Sequence, residues 1–204
     1  MLFRSYDANL DPGLYYRDIN NYYTETHEDV YMGSQGRDTG EIYAGGLDDY
    51  TYIYPKFDTY YTYSFRYRSG ERGEKSGETM KSLIDKKYLG YHDVYTREMN
   101  NSYLQGIVLT DQIKNKLLKE GEGPKLLFIR DSYSSPVGVF MAPMCTDIDM
   151  LWSLHFKNDS VEKALSSKHY DYVIVAFAID NFKDEAFPFF LEEKKTAGKA
   201  EGGE

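Results

Sequence analysis

The residues best placed to do chemistry are Asp131 and Ser132, which follow the apolar run Lys125-Leu126-Leu127-Phe128-Ile129-Arg130. Such a run reads as a strand buried inside a parallel sheet. Open parallel sheets present their sites just beyond the C-terminal ends of their strands, so the run delivers Asp131 and Ser132 to that place. A serine there, with a helix following, gains a tight turn that exposes Oγ and backbone N–H groups that can stabilise an oxyanion. It still needs a base: serine is a weak nucleophile, and a histidine oriented by a carboxylate normally takes its proton. Asp and Ser are also ordinary helix-capping residues, so this segment alone leaves a capping role open.

Four histidines are available. His155 comes just after a second strand-like segment, at a sheet edge where sites occur, and is the base candidate by position. His27 lies in Glu25-Thr26-His27-Glu28-Asp29, an acidic cluster whose spacing matches no metal-ligand pattern. His92 precedes Asp93 in a loop, and His169 precedes a strand, at the wrong end of the sheet. None pairs with a carboxylate in a recognisable motif. Cys145 is the sole cysteine, which excludes an internal disulfide or a zinc knuckle, and it abuts the apolar stretch from Val137 to Met144 as a buried thiol. The site residues call for no cofactor and no metal.

The elements that position these residues fall into two halves. From Val30 to Arg68 the chain is rich in aromatic and β-branched residues. Strands are predicted over Glu41 to Ala44, Tyr50 to Tyr54 and Tyr60 to Tyr67, broken at Gly45-Gly46, Pro55 and Ser69-Gly70. The charged, glycine-rich Ser69 to Gly77 reads as a loop, and Lys81 to Asp85 as another short strand. In the second half, Asp111 to Leu118 carries apolar residues at helical spacing and closes on Gly121. Buried strands are expected at Lys125 to Arg130, Asp147 to Trp152 and Tyr172 to Ala178. Val137 to Met144 reads as a helix ending near Pro143, and Asn158-Asp159-Ser160 caps another over Val161 to Ser167. Alternating strands and helices predict an α/β fold with a parallel sheet.

The order of these pieces carries a resemblance. The Leu126 to Tyr133 strand and turn, the helix ending in Ala142-Pro143, the Asp147 to Met150 strand and the Asp171 to Val175 strand together resemble the DHHW family. That family is grouped with SGNH-hydrolase-like acetyltransferases related to alginate O-acetylation proteins. Upstream, Tyr31 to Arg37, Asp48-Asp49 and Tyr54 to Thr59 look like the segment between the family's Asp-His-His-Trp motif and its serine strand; the likeness covers Asp29 to Phe182. It implies the C-terminal part of an SGNH-like (flavodoxin-like) three-layer fold, with a tyrosine-rich, strand-rich N-terminal segment. It also implies O-acetyl transfer or ester hydrolysis on a cell-surface or secreted polysaccharide. Ser132 would be the nucleophile and its own N–H part of the oxyanion hole, and Asp131 would shape the turn. Two departures stand out. No Asp-x-His or Asp-His-His-Trp motif precedes Tyr31, and where a Gly-Asn pair is common the chain has Gln105-Gly106-Ile107-Val108, leaving Gly106 as the second oxyanion candidate.

The resemblance places residues 1–29 as a lead-in and 30–190 as the domain, strand-rich over 30–100 and α/β over 101–190. Residues 191–204, rich in Glu, Lys, Gly and Ala, read as a disordered tail. The formal charge of -9 argues against nucleic acid as a partner. The 21 tyrosines suit half-buried strands, and equally a surface that meets a glycan or a protein. Met1-Leu2-Phe3 is followed by Arg4, Asp7 and Asp11 with no apolar stretch of secretory length, and no window is long enough to span a membrane. The extracytoplasmic, cell-envelope location therefore rests on the resemblance. Two functions are carried forward: the nucleophile-bearing part of a glycan O-acetyltransferase or esterase, inactive as this chain, and a non-catalytic domain that binds carbohydrate or a protein through its tyrosines.

Overall fold

The computed structural model describes residues 11–152 and 165–181. The strands run, in chain order, β1 (Tyr22–Tyr31), β2 (Asp48–Pro55), β3 (Tyr61–Arg66), β4 (Arg72–Glu78), β5 (Thr110–Asn115), β6 (Lys125–Arg130), β7 (Asp147–Trp152) and β8 (Tyr172–Ala176). Among the described residues, the α-helices seen in full are α1 (Ser34–Thr39), α2 (Glu41–Ala44) and α3 (Ser135–Met141). Strands β1 and β2 form an antiparallel ribbon, and the other six form one sheet in the order β4-β3-β5-β7-β6-β8.

The apolar run at 125–130 becomes β6, near the centre of that sheet, with Leu126 to Arg130 all buried. It pairs in parallel with both β7 and β8. The remaining pairings, β7 with β5, β5 with β3 and β3 with β4, are antiparallel. The fold is thus mixed α/β, as the resemblance implied, but its sheet is parallel only around the serine strand. One face buries Tyr61, Tyr63, Ile113, Phe128, Ile148 and Met150 in a core that also receives Val139 of α3 and Tyr52 and Tyr54 of the ribbon. The tyrosines divide between core and surface: Tyr52, Tyr61 and Tyr63 are fully buried, whereas Tyr23, Tyr43 and Tyr60 are exposed.

Five segments differ from expectation. Thr110 to Asn115 is a strand rather than the start of a helix, because it sits between β3 and β7 and buries alternate residues Asp111, Ile113 and Asn115. Asn115 has a local task, its amide donating to the Ala142 and Pro143 carbonyls at 3.1 and 3.3 Å. The glycine-rich 72–78 stretch is strand β4 rather than a loop; as an edge strand it needs no apolar pattern, and its exposed charges suit an edge. Glu41 to Ala44 is one helical turn, framed by Gly40 and by left-handed Gly45. From Lys81 to Asp85 only one bridge, Ile84 to Tyr103, is made. Finally, β8 is a strand but not a buried one: it is the sheet's other edge, with Val173 48% and Val175 46% exposed. Asn158 to Ser160, most of the Val161 to Ser167 helix and the 191–204 tail lie outside the described residues; Leu165 to Ser167 is helical. Among the described residues, no helix is long and apolar enough to cross a membrane.

Candidate functional site

The chain leaves β6 through Asp131, in extended backbone, and enters a short 3-10 turn at Ser132 that runs on into α3, where Pro136 occupies the first turn. Asp131 is fully buried and ties this turn to the chain after β8. Its Oδ1 accepts from the Tyr133 N–H at 3.0 Å. Its Oδ2 accepts from the Ala178 N–H at 2.6 Å and from the Asn181 side-chain amide at 2.9 Å. All its contacts here are as an acceptor, which locks the turn and leaves no oxygen facing a substrate proton. Ser134 adds a second tie, its Oγ donating to the Ala176 carbonyl at 3.2 Å.

Ser132 is half-buried and lines a cleft of about 330 Å³ with Tyr31, Ser34, Asn100, Ile107 and Trp152. Among the described residues, no internal acceptor takes the Ser132 N–H, and its Oγ has no hydrogen-bond partner. The first N–H groups of a helical segment have no partner within it, which leaves this donor available to a ligand. Arg37 and Glu98 form an ion pair in the cleft wall at 3.3 Å. The neighbouring Tyr133 hydroxyl and Ser34 Oγ lie 2.6 Å apart. Burial pushes the Tyr31 hydroxyl above the usual tyrosine range, so it stays neutral and serves as no base near pH 7.

Behind the turn lies a buried polar network. The Arg130 guanidinium pairs with the Asp111 carboxylate, both side chains fully buried. The Tyr63 hydroxyl donates to Asp111 at 2.5 Å and accepts from the Gln105 N–H at 3.2 Å. Burial raises the Asp111 carboxyl above its ordinary range, while the charge of Arg130 and the hydrogen bond from Tyr63 pull against that. The Arg130 guanidinium carbon lies 6.0 Å from the Trp152 ring centroid, and Trp152 lines the Ser132 cleft. The serine strand, β5 and the 105–107 loop are therefore fastened together just beneath the site.

The histidines are placed elsewhere. His27 is on β1, its Nε2 2.8 Å from Glu25 and its ring edge-on to Tyr52. His92 is exposed in a loop. His169 is 88% exposed and precedes β8, at the end of the sheet opposite Ser132. His155 lies outside the described residues. No described histidine lines the cleft. Gly106 is also off the wall: its N–H donates to the Tyr103 carbonyl at 3.2 Å, so it would have to break that bond to face an oxyanion. Its positive φ of 71° and the close approach of Asn101 show why a glycine sits there. The amides that do reach the wall are Asn100 and Asn101. They went unread because they belong to a 3-10 segment without periodicity; the only signal was an Asn-Asn pair set between Met99 and Ser102, both buried.

No protein-family profile and no curated protein matches the sequence. Solved structures share its fold. PatB1 of Bacillus cereus, solved with a sulfonyl adduct, superposes with a TM-score of 0.60 at 11% identity, over 83% of this chain and 51% of PatB1. A second PatB1 structure gives 0.56 at 10% identity, over 83% of this chain and 53% of that one. A DHHW family protein from Eubacterium siraeum gives 0.55 at 18% identity, over 84% of this chain and 52% of that protein. The chain spans about half the length of the structures it matches. The likeness is one of fold, and it includes the family that the order of the sequence segments resembles.

Proposed function

We propose that this chain is the nucleophile-bearing, C-terminal part of an extracytoplasmic SGNH-like O-acetyltransferase or esterase that acts on a polysaccharide. One observation carries the reading: Ser132 sits at a strand–turn–helix junction and lines a cleft, with its N–H unclaimed among the described residues. The sulfonyl adduct of PatB1 supports it, because such an adduct requires a nucleophilic side chain. Ser132 Oγ attacks the acyl carbon, the Ser132 N–H receives the developing oxyanion, and Asp131 holds the turn. The proton of Ser132 must go to a base, and the described cleft holds no histidine to take it. That base comes from polypeptide outside the described residues, and this chain by itself is inactive.

Ester turnover by the chain extended with its upstream coding sequence, set beside the Ser132→Ala variant of the same protein, tests this. Turnover that needs Ser132 is expected. An extended protein that binds acetylated glycan but never turns it over contradicts the reading and favours a binding module.

That second reading has its own observation. Tyr23 is 62% exposed beside a cleft of about 550 Å³ on the ribbon, shared with Tyr54, Phe57, Glu25 and Lys81. An exposed aromatic ring among polar groups suits a sugar face or a protein partner.

A further inference from the structure

The sheet has a second face, and two rows of directly paired residues cross it. One row runs Glu74, Ser64, Gln112, Asp149, Leu127, Val173; the other runs Arg72, Arg66, Thr110, Leu151, Ile129, Val175. The face is apolar towards β8 and polar towards β4. At the polar end Arg66 and Arg72 stand directly opposite each other across β3 and β4. Like charges in that position are unfavourable.

Among the described residues, neither arginine side chain has a partner. The protein carries 33 acidic residues against 24 Lys and Arg, so carboxylates are in excess. Yet no ion pair or side-chain hydrogen bond engages Arg66 or Arg72 among the described residues, and Arg66 Nε is shut off from solvent without an acceptor. Three carboxylates, Glu74, Asp111 and Asp149, line the same groove as the two arginines, and each already accepts a hydrogen bond from another group. Glu74 accepts from Ser64 Oγ at 3.1 Å. Asp149 accepts from Gln112 at 2.6 Å, Tyr170 at 2.6 Å and Lys168 at 3.0 Å, and Asp111 is paired with Arg130. The two arginines line a groove of about 630 Å³ that shares no residue with the Ser132 cleft.

A buried, unpaired guanidinium nitrogen is costly, and a second guanidinium placed opposite raises the cost; a bound anion offsets both. Guanidinium donors form a planar fork that fits an oxyanion through two parallel hydrogen bonds. We propose that Arg66 and Arg72 form an oxyanion-binding site, with Thr110 as a neutral neighbour in the groove. Its ligand is a phosphate, sulfate or carboxylate group, and the groove has room for the molecule that bears it.

Calorimetric and thermal titration of the full chain with inorganic phosphate, sulfate and glucuronate, against chloride at equal ionic strength, tests this. At least one oxyanion should bind and raise the melting temperature, whereas chloride should not. Phosphate or sulfate preference points to an esterified ligand, and glucuronate preference to an acidic sugar. Arg72→Gln, at an exposed position, and Arg66→Gln should each weaken binding by about tenfold or more. Without added oxyanion, Arg72→Gln should melt no lower than the parent, since it removes a like-charge contact. Equal response to chloride, binding that survives both substitutions, or a lower melting temperature for ligand-free Arg72→Gln would each overturn the proposal.

Discussion

Arg130 and Asp111 form an ion pair with no solvent exposure on either side chain, and Arg130 stands two residues before the candidate nucleophile Ser132. The pair joins the serine strand β6 to β5 across the intervening β7. Through Tyr63 it reaches the Gln105 N–H, so the loop that borders the Ser132 cleft is held by the same network.

Removing either charge strands the other in a dry site. Asp111→Asn and Arg130→Met should each cost about 3–5 kcal/mol in denaturant unfolding, and the double variant should cost clearly less than their sum. Single-variant losses under about 1 kcal/mol would mean that water or a rearranged partner compensates the remaining charge.

Asp131 carries three acceptor contacts, two of them to the segment after β8. Asp131→Ala should lower stability by about 2–3 kcal/mol, and Asn181→Ala, which removes one contact, by about 1 kcal/mol. Hydrogen exchange at the Tyr133 and Ala178 amides should speed up in Asp131→Ala and only at Ala178 in Asn181→Ala. Unchanged protection at both amides would remove Asp131 from the turn's support.

The parallel part of the fold was legible because its strands are short apolar runs that stand out against their neighbours: Lys125 to Arg130, Asp147 to Trp152 and Tyr172 to Ala176. The antiparallel part was harder. Ile113, Leu117 and Leu118 mimic helical spacing, and only the pairing of β5 with β3 and β7 reveals the two-residue period. Nothing in Arg72 to Glu78 marks a strand, because an edge strand is ordered by its neighbour's hydrogen bonds rather than by its own burial. At the candidate site, the position of Ser132 just past a strand end was legible in the sequence. The Arg130–Asp111 pair was not, since both residue types read as surface and their burial follows from β5 lying close by. Asn100 and Asn101 join the cleft through tertiary packing of an irregular segment, which leaves no periodic trace.

Burial sets the alkaline limit of the fold. It pushes the Cys145 thiol from 9.0 up to about 12, and the Tyr103 hydroxyl from 10.0 up to about 12. Both groups have folded values above their unfolded ones. Their contribution is therefore complete below about pH 9 and is lost as pH rises through about 12. Unfolding free energy should be flat on this account up to pH 9 and decline above it, in step with tyrosinate absorbance. Cys145, 3% exposed, should react with a thiol reagent at pH 8 only as fast as the protein unfolds. Rapid labelling of the native protein would place the thiol at the surface.

The account turns on a serine that is positioned for attack but lacks a base within the described cleft. The most direct test is hydrolysis of a small acetyl ester by the purified 204-residue chain, compared with its Ser132→Ala variant. The account predicts that the two rates are the same and no greater than buffer alone. Turnover by the parent that disappears in Ser132→Ala would contradict it, and would mean that a histidine of this chain, with His155 first in line, reaches Ser132 after all.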